Sequence, residues 1–582
     1  MLIQGQEITI RPAGSNLLAG ISFAIPSGAK IGLVGANGCG KTSLCRVITG
    51  LQEADGGVLS VQRSVTIGWV PQHLTTPDNC TVLEYLAPEV LARRSELSRL
   101  EIAMGNPENS RQELERILRQ YGELRESYDE QHGDLCETKA QRILNEIGLP
   151  LPLDAKVMQL SGGERNSLAL TRALLSNPDV LVLDEPGNHL DFAGLERLER
   201  ILRDYSGAVL LVSHNRRLLD RCVDRIWQMS NGSLQEYAGN YTDYRMTMLQ
   251  NAAAQLAQHS VQQAKLQRLE ELVRRFEQIA RATADPAWGK RLRARRTQLE
   301  KNREQAVAAP QVHSGSIDVQ IAARGSRADI AIELNNYGKA FDERVLLRDV
   351  RFQIQAGERV GLIGPNGSGK TSLIRDLMET GSWENPVMRI GPSFRVGYIA
   401  QHREQFRQSA PLLEALQLAT GAQEREASSI LTRMQFSRRD FETTVSNLSG
   451  GEYNRLQLAA LLLQGANLLI LDEPTNHMDI PSKEIIEEAL VESEVTLLVV
   501  SHDRYLLDAV VDRLLIIENQ GITDFPGRFS EYRSSQLNSD DSLDSRAADQ
   551  RDAQRRKTEA QAARHIAKGD HKSARKSAAK LR

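Results

Sequence analysis

The sequence predicts an α/β protein built from two tandem copies of one phosphate-binding domain, joined by a long helical segment. Three observations support this architecture. A pattern of strand, glycine-rich loop and helix occurs twice, and the motifs that follow it recur at fixed spacing. Between the copies, residues 244 to 284 contain neither Pro nor Gly and carry apolar residues at helical spacing.

Length and composition indicate a protein of several globular domains. The chain has 582 residues, of which 41% are apolar and 25% charged, and its formal net charge is −3. No apolar run approaches the roughly 18 residues that a membrane span needs, and the first residues resemble neither a signal nor a transit peptide. The five cysteines lack metal-ligand spacing. We therefore expect a cytoplasmic protein with reduced cysteines.

The glycine-rich loops are the first repeated motif, with Lys41 and Lys370 separated by 329 positions. Backbone N–H groups of such a loop bind phosphate oxygens at the start of the following helix. We expect both lysines to bridge the β- and γ-phosphates of a nucleotide. We expect Thr42 and Thr371 to ligate Mg²⁺. The predicted nucleotide-binding residues are Gly35, Ala36, Asn37, Gly38, Cys39, Gly40, Lys41, Thr42 and Ser43, and Gly364, Pro365, Asn366, Gly367, Ser368, Gly369, Lys370, Thr371 and Ser372.

An acidic pair follows one apolar strand of each copy, at Asp184-Glu185 and at Asp472-Glu473. Ligands of a parallel sheet bind at the carboxyl ends of its strands, so these carboxylates are expected beside the nucleotide. We predict that Asp184 and Asp472 belong to the Mg²⁺ shell. Glu185 and Glu473 are the predicted catalytic bases that orient and deprotonate the attacking water.

A histidine follows another strand of each copy, at His214 and His502. One histidine after a strand is more often structural than functional. Both lie at the same offset of 288 positions that relates the acidic pairs, which favours a functional role. We expect them to contact the γ-phosphate as catalytic residues.

These motifs resemble those of the ATP-binding cassette ATPases over almost the whole of both copies. The segment Leu-Ser-Gly-Gly-Glu, at 160–164 and 448–452, is similar to the signature of that family. The resemblance implies a head-to-tail sandwich of two cassettes, closed by ATP and reopened by hydrolysis. In it, Ser161, Gly162 and Gly163 would complete the nucleotide site on Lys370. Ser449, Gly450 and Gly451 would complete the site on Lys41.

The resemblance also implies roles for two further pairs of residues. Gln72 and Gln401 match a glutamine that senses Mg²⁺ and the γ-phosphate, and they are predicted to bind both. Asp191 and Asp479 match an aspartate that communicates between the two cassettes. The expected cofactors are ATP and Mg²⁺, and the expected enzyme is an ATPase with two composite active sites.

Within this family the chain resembles the ABC-F class. It shares two fused cassettes, the motif Asp-Glu-Pro-Thr-Asn-His-Met-Asp at 472–479, an arm-like insertion at about 91–144 and a charged helical hairpin between the cassettes. The first copy carries 41 additional residues between Gln72 and Ser161, which is where the insertion lies. Proteins of this class act on ribosomes as translation factors or as factors that protect against antibiotics. The resemblance implies a monomer whose hairpin reaches large-subunit rRNA, peptidyl-tRNA and the peptidyl-transferase region.

The hairpin is predicted to occupy residues 245–313, with a break at Asp285-Pro286 and a basic tip after it. Lysine and arginine bind phosphates electrostatically, and a tryptophan can stack on a base. The predicted RNA-binding residues are Trp288, Lys290, Arg291, Arg293, Arg295 and Arg296. The expected domains are 1–244, 245–313 and 314–533, followed by a basic tail at 534–582.

Three departures from the family pattern predict two competent but unequal sites. Gly187 replaces the usual threonine of the first copy, so the turn after Glu185 is expected to be more flexible. Phe341, with Tyr337 as the alternative, is placed to stack on adenine in the second site, whereas Pro12 occupies the corresponding position of the first. Cys39 is interpreted as a small tolerated side chain rather than a redox switch.

Two other functions remain open from the sequence. One is the ATPase of a transporter whose membrane subunits are encoded separately. The other is an ATP-driven factor that acts on DNA, which a basic hairpin alone does not distinguish from an RNA-binding factor.

Overall fold

The computed structural model contains two compact units. The first comprises Met1–Tyr241 and Val319–Tyr532, and the second comprises Thr242–Asp318 and Arg533–Arg582. Among the described residues, no helix combines the length and apolar character needed to cross a bilayer. The structure describes residues 1–11, 18–72, 80–106, 109–130, 133–188, 190–255, 266, 273, 329–341, 344–399, 406–476 and 478–537.

The first cassette contains a six-stranded sheet and a three-stranded sheet. The larger sheet has the order β5-β6-β7-β3-β8-β9, parallel except for β9. Its strands are β3 (Lys30–Gly35), β5 (Ile67–Val70), β6 (Val180–Asp184), β7 (Ala208–Val212), β8 (Arg225–Ser230) and β9 (Ser233–Ala238). The smaller sheet is antiparallel, in the order β2-β1-β4, with β1 (Ile3–Ile10), β2 (Leu18–Ile25) and β4 (Gly56–Val61). Strands β6 and β7 are buried along their whole length, as expected for central parallel strands covered on both faces.

One hydrophobic core joins the two sheets of the first cassette. Phe23 on β2 and Trp227 on β8 pack with ring centroids 5.5 Å apart. The helices around the sheets are α1 (Lys41–Ile48), α2 (Val82–Leu86), α3 (Pro88–Met104), α4 (Arg111–Glu130), α5 (Cys136–Ile147), α6 (Gly162–Leu175), α7 (Phe192–Asp204) and α8 (Arg216–Cys222).

The second cassette repeats this arrangement. Its larger sheet has the order β14-β15-β16-β12-β17-β18 and its smaller sheet the order β11-β10-β13. The strands are β10 (Ile330–Phe341), β11 (Arg344–Gln355), β12 (Arg359–Ile363), β13 (Met388–Ile390), β14 (Val396–Ile399), β15 (Leu468–Asp472), β16 (Thr496–Val500), β17 (Arg513–Glu518) and β18 (Gly521–Phe525). The helices are α9 (Lys370–Thr380), α10 (Leu412–Thr420), α11 (Glu424–Arg433), α12 (Gly450–Leu463), α13 (Ile480–Glu492), α14 (Arg504–Val510) and α15 (Phe529–Leu537). The predicted fold class, two tandem α/β cassettes, is confirmed.

Helices α3 and α4 form the arm of the first cassette, and they lie within its extra sequence. They pack against each other, and α3 ends at Met104, directly before Gly105. Near the base of the arm, Arg94 donates to Glu137 at 2.7 Å and to the hydroxyl of the buried Tyr128 at 3.2 Å. Helix α5 begins 288 positions before its counterpart α11, so the additional helices end at α4.

Most of the predicted hairpin lies outside the described residues. Residues 241–255 are helical. The predicted basic tip, from Trp288 to Arg296, and the tail beyond residue 537 belong to the part of the chain that the structure does not describe.

Candidate active site

A cleft of about 1240 Å³ lies within the first unit and is lined by residues of both cassettes. Both glycine-rich loops, both acidic pairs and both strand-end histidines contribute to its lining. Pockets for one small molecule usually have volumes of about 300–1,000 Å³, so the cleft is large enough for more than one nucleotide. Two groups of motifs that are far apart in sequence therefore meet in one place.

The geometry of each loop requires glycine immediately before the helix. Gly40 has φ 105° and Gly369 has φ 99°, values that other residues rarely adopt, and each caps the N-terminus of its helix, α1 or α9. The free N–H groups of the first helical turn therefore face the loop. An anion is stabilised at this position by those donors and by the helix dipole.

The loop lysines fold back onto their own loops. Lys41 Nζ donates to the carbonyl oxygens of Gly35 at 2.8 Å and Ala36 at 3.0 Å. Lys370 Nζ makes the equivalent bonds to Gly364 at 2.8 Å and to Pro365 at 2.9 Å. The two ammonium groups are thus held at the centre of each loop, where a phosphate would lie against the backbone N–H groups.

A threonine and an aspartate meet beside each lysine. Thr42 Oγ1 donates to Asp184 Oδ2 at 2.7 Å, and the Thr371 side chain is hydrogen-bonded to Asp472. Magnesium usually takes one or two protein oxygens and completes its shell with water and phosphate oxygens. The hydroxyl and the carboxylate of each pair are oxygen ligands of the type that Mg²⁺ prefers. Gln72 lines the same cleft, and Gln401 lies outside the described residues.

The predicted catalytic glutamates are buried and have strained backbones. Glu185 has φ 53° and Glu473 has φ 50°, in the left-handed region that costs energy for a residue with a β carbon. Backbone N–H groups hold them there: each glutamate N–H donates at 2.9 Å to a strand carbonyl, of Val212 or Val500. Burial raises the pKa of Glu185 to about 7 and that of Glu473 to about 8. A carboxylate with a pKa near the working pH is suited to accept a proton.

The strand-end histidines contact these glutamates. The backbone N–H of His214 donates to Glu185 Oε2 at 3.3 Å, and that of His502 to Glu473 Oε2 at 3.4 Å. His214 Nε2 also lies 3.2 Å from Asn37 Oδ1, in the first loop. Burial lowers the pKa of His502 to about 4 and that of His214 well below its usual value, so both imidazoles are neutral at pH 7.

The signature segments cap the helices that follow them. The Ser161 hydroxyl accepts from the backbone N–H of Glu164, and the Glu164 carboxylate accepts from the Ser161 N–H at 2.8 Å. Ser449 and Glu452 form the same capping box at the start of α12. The identical spacing of serine and glutamate in the two copies therefore has a structural cause. It leaves the first turn of α6, with Ser161 to Gly163, along the cleft.

Each inter-cassette aspartate links its own helix to the opposite glycine-rich loop. Asp479 Oδ2 accepts from the backbone N–H of Asn37 at 3.1 Å, and Asp191 Oδ2 accepts from that of Asn366 at 3.2 Å. Their other carboxylate oxygens cap α13 and α7 through Ser482 at 3.0 Å and Gly194 at 2.8 Å. Each loop is therefore fixed by a residue of the other cassette.

Ion pairs made by two buried arginines also join the cassettes, and no motif in the sequence indicated them. Arg216 donates to Glu487 at 3.0 Å, and Arg504 donates to Glu196 at 2.8 Å. The ring of Phe192 lies edge-on to His502, with centroids 5.1 Å apart. A buried ion pair is costly to break from one side, because the remaining charge is left without compensation. These contacts favour the arrangement in which the two cassettes face each other.

The two aromatic residues predicted to stack on adenine, Tyr337 and Phe341, differ in exposure. Tyr337 is buried and donates its hydroxyl to Asp376 at 2.8 Å, so its ring has no free face. Phe341 is 52% exposed at the end of β10, opposite Arg344, which lines the cleft. Pro12 lies outside the described residues. Phe341 is the aromatic of this pair that can offer a face to a nucleotide base.

Cys39 and Gly187, two of the departures from the family pattern, both lie among packed neighbours. Burial raises the pKa of the Cys39 thiol, which keeps it protonated and less reactive at neutral pH. A β carbon at Gly187 would lie 3.1 Å from both Leu195 and Leu218. Packed neighbours therefore surround the turn after Glu185.

The fold and the cleft define a protein with two tandem nucleotide-binding cassettes. The family model described as ABC transporter matches residues 18–188 and 347–476, and an extension model with the same description matches 227–318. The chain belongs to the ATP-binding cassette family, and within it to the ABC-F class. It is an ATP-binding ATPase of that family.

Similar proteins support this assignment over most of the chain. The putative ATP-binding protein YdiF of Bacillus subtilis is 32% identical over 91% of this chain and 82% of its own length. The energy-dependent translational throttle protein EttA of Escherichia coli is 31% identical over 90% and 93%. Among solved structures, RNase-L Inhibitor has a TM-score of 0.58 at 18% identity, covering 92% of this chain and 93% of that one. This structural likeness concerns the fold.

We expect Glu473→Gln to stabilise the nucleotide-free protein increasingly as the pH rises from about 4.5 to about 8. The folded carboxyl has a pKa of about 8, whereas an unfolded glutamate titrates near ~4.3. Between these values the folded state keeps a proton that the unfolded state has lost, so wild-type stability falls as the pH rises. Glutamine does not titrate, so the variant does not lose stability in this way. Its free energy of unfolding should exceed that of the wild type by about 1 kcal/mol or more at pH 8.5.

Thermal unfolding without nucleotide at pH 5 and pH 8.5 measures this gain. The control is Glu442→Gln, because Glu442 is exposed and its replacement should leave the pH dependence of the wild type unchanged. An equal stability difference between Glu473→Gln and wild type at both pH values would contradict the prediction.

Proposed function

We propose that this protein is an ATP-driven factor that acts on the ribosome, using two composite ATP sites to close its cassettes and hydrolysis to reopen them. The single observation that carries the two-site part is the pair of reciprocal bonds from Asp479 to the Asn37 N–H and from Asp191 to the Asn366 N–H. In this proposal the two aspartates communicate between the sites.

Each site combines residues from both cassettes. The site on Lys41 takes its signature segment, Ser449 to Gly451, from the second cassette, and the site on Lys370 takes Ser161 to Gly163 from the first. The positive end of a signature helix would lie against the terminal phosphate, so ATP favours the closed arrangement. Mg²⁺ would be held by Thr42, Gln72 and Asp184 in one site and by Thr371, Gln401 and Asp472 in the other, and when bound it neutralises phosphate charge.

Hydrolysis in each site follows from the placement of its glutamate. The water oxygen forms a bond to the γ-phosphorus while the bond from that phosphorus to the β–γ bridging oxygen breaks, leaving ADP and phosphate. Glu185 or Glu473 accepts the proton of the water in its ionised form, and burial, which raises the pKa of each carboxyl, strengthens its affinity for that proton. The neutral histidine, His214 or His502, contacts the γ-phosphate. The loop lysine stays on the phosphates throughout.

We further propose that the two sites are unequal. The second cassette offers the exposed Phe341 for adenine, and stacking of this kind contributes about 0.5–1.5 kcal/mol. The first cassette has Gly187 where the second has the buried Thr475. Both sites carry the same catalytic residues. The two differences therefore change the affinity for ATP and the rate of hydrolysis, but not the reaction.

We expect steady-state ATPase assays to distinguish Glu185→Gln from Glu473→Gln. Loss of the proton acceptor lowers hydrolysis at the altered site by about 10²-fold or more, so each variant reports the remaining site. Glu185→Gln keeps the second site and should have a KM for ATP about threefold or more below that of Glu473→Gln. Glu442→Gln, with its exposed carboxylate, controls for the substitution itself. Identical kcat and KM values for the two variants would show that the sites are equivalent.

The ribosome is the proposed partner because of the relatives and the basic hairpin. A protein named as a translational throttle is 31% identical to this chain in an alignment that covers 90% of this chain. Five basic residues lie between 290 and 296 of the hairpin, suited to rRNA or tRNA phosphates, beside Trp288. In this proposal the hairpin at 245–313 reaches toward tRNA and the peptidyl-transferase region, with cassettes at 1–244 and 314–533. The chain acts as a translation factor and works as a monomer.

We expect the Glu185→Gln/Glu473→Gln protein to sediment with ribosomes when ATP is present and to remain in the supernatant without it. Changing Lys290, Arg291, Arg293, Arg295 and Arg296 to Gln should weaken this binding by about 10-fold or more, because phosphate contacts are lost. The matched control replaces four arginines and one lysine of the tail, namely Arg551, Arg555, Arg556, Lys557 and Arg564. This control should bind nearly as well as the parent.

The same assay separates the alternatives. Recovery in the membrane fraction would favour the ATPase of a transporter, and tighter binding to duplex DNA than to ribosomes at matched salt would favour a DNA factor. Equal losses from the hairpin and tail variants would show that the tip has no specific role. Growth of a sensitive bacterium expressing the protein, against drugs of the peptidyl-transferase centre, tests the antibiotic-protection role instead.

A further inference from the structure

A buried lysine of the second cassette joins the two histidine segments of the cleft. Lys483 lies in the first turn of α13 and is 9% exposed. Its Nζ donates to the backbone carbonyl of His214 at 3.1 Å and to Asp503 Oδ2 at 3.1 Å. His214 belongs to the first cassette, and Asp503 directly follows His502 of the second. One ammonium group therefore contacts both segments.

Both partners of Lys483 are fixed within their own cassettes. Asp503 caps α14, because its Oδ1 accepts from the backbone N–H of Tyr505 at 3.0 Å. The backbone N–H of His214 donates to Glu185 at 3.3 Å. A displacement of either segment would therefore change one of the two bonds of Lys483. Removing a partner from a buried ammonium group is costly, which makes the two displacements interdependent.

The start of α13 also contacts the first glycine-rich loop. Asp479, which caps this helix, accepts from the Asn37 N–H, and Lys483 follows four positions later. The same helical turn thus touches the loop that binds phosphate in the first site and the histidine segment that faces its terminal phosphate. It reaches the second site through Asp503.

The positions of the first cassette that correspond to Lys483 and Asp503 lack this charged pair. The offset of 288 places Leu195 opposite Lys483 and Asn215 opposite Asp503. Leu195 has an apolar side chain that packs toward Gly187. Asn215 keeps the capping role of Asp503, accepting from the Arg217 N–H at 3.0 Å, but carries no charge. The second cassette supplies the ammonium and the carboxylate for both sites.

We propose that Lys483 is a positioning residue that couples the two ATP sites by holding the His214 and His502 segments together. The inference rests on the proposed function, since it requires two sites. Nucleotide in one site fixes its histidine segment, and through Lys483 it reduces the cost of fixing the other segment. Binding at one site then strengthens binding at the other, reciprocally.

Nucleotide binding to the full chain tests this coupling. In the Glu185→Gln/Glu473→Gln background, Lys41→Ala and Lys370→Ala each leave one site and give the single-site affinities for ATP. Comparison with the two-site protein gives the coupling factor, which is the ratio by which ATP in one site strengthens ATP binding to the other. We expect this factor to be about fivefold or more. Lys483→Met keeps the aliphatic stem but removes the ammonium. It should reduce the factor to below about twofold while changing single-site affinities little. Lys483→Arg should restore part of the coupling.

Two further variants keep the test decisive. Asp503→Asn copies the first cassette, retains a capping side chain and should also weaken the coupling, even where Lys483→Met folds poorly. Lys30→Met is the matched control, because Lys30 Nζ donates to the Tyr205 and Gly207 carbonyls within the first cassette. It removes a lysine that holds two backbone positions without joining the cassettes, so it should leave the coupling factor unchanged.

The outcomes separate the inference from the proposed function. Undiminished coupling in folded Lys483→Met or in Asp503→Asn would overturn the role of Lys483, as would an equal loss in Lys30→Met. If the Glu185→Gln/Glu473→Gln protein with both loop lysines intact binds only one nucleotide, the two-site function is wrong and the coupling falls with it.

Discussion

The arrangement of the cleft depends on one type of interaction, the hydrogen bond from a glycine-rich loop of one cassette to an aspartate of the other. Asp479 holds the Asn37 N–H and Asp191 holds the Asn366 N–H, while each aspartate also caps its own helix. A carboxylate at a helix N-terminus is favoured by the helix dipole, so it is already oriented when the other cassette approaches. The two loops, the acidic pairs and the start of α6 therefore meet in one cleft.

Burial then gives this cleft its chemistry. The same low-polarity surroundings raise the pKa of Glu185 and Glu473 and lower those of the two histidines. Proton acceptors and neutral imidazoles consequently face the place where phosphate would bind. The positive φ values of both glutamates are a local cost that the surrounding strands stabilise through backbone hydrogen bonds. The ion pairs of Arg216 and Arg504 add charge contacts that close the cassettes against each other.

The parts of this site that could be predicted from the sequence are those whose chemistry is local. The strand, loop and helix around Lys41 and Lys370 follow from glycine conformation and apolar periodicity, and the shared offset of 288 positions identified the acidic pairs, the histidines and the signature segments. The contact of Lys483 with His214 joins residues 269 positions apart, and that of Phe192 with His502 joins residues 310 positions apart. Apolar periodicity does not predict contacts between such distant positions. The exposure of single side chains could not be predicted from the sequence either, as the buried ring of Tyr337 shows.

If each ATP site is shared by both cassettes, a change in the signature segment of one cassette should empty the site on the loop of the other, and counting the ATP bound to the Glu185→Gln/Glu473→Gln protein measures this. Gly162→Asp places a carboxylate at the start of α6, where the terminal phosphate of the ATP on Lys370 would lie. We expect two ATP molecules per chain in the parent and one in the Gly162→Asp variant, with the remaining ATP lost when Lys41 is also replaced. Two ATP molecules still bound to the variant, or loss of the Lys41 site while the Lys370 site stays filled, would contradict this expectation.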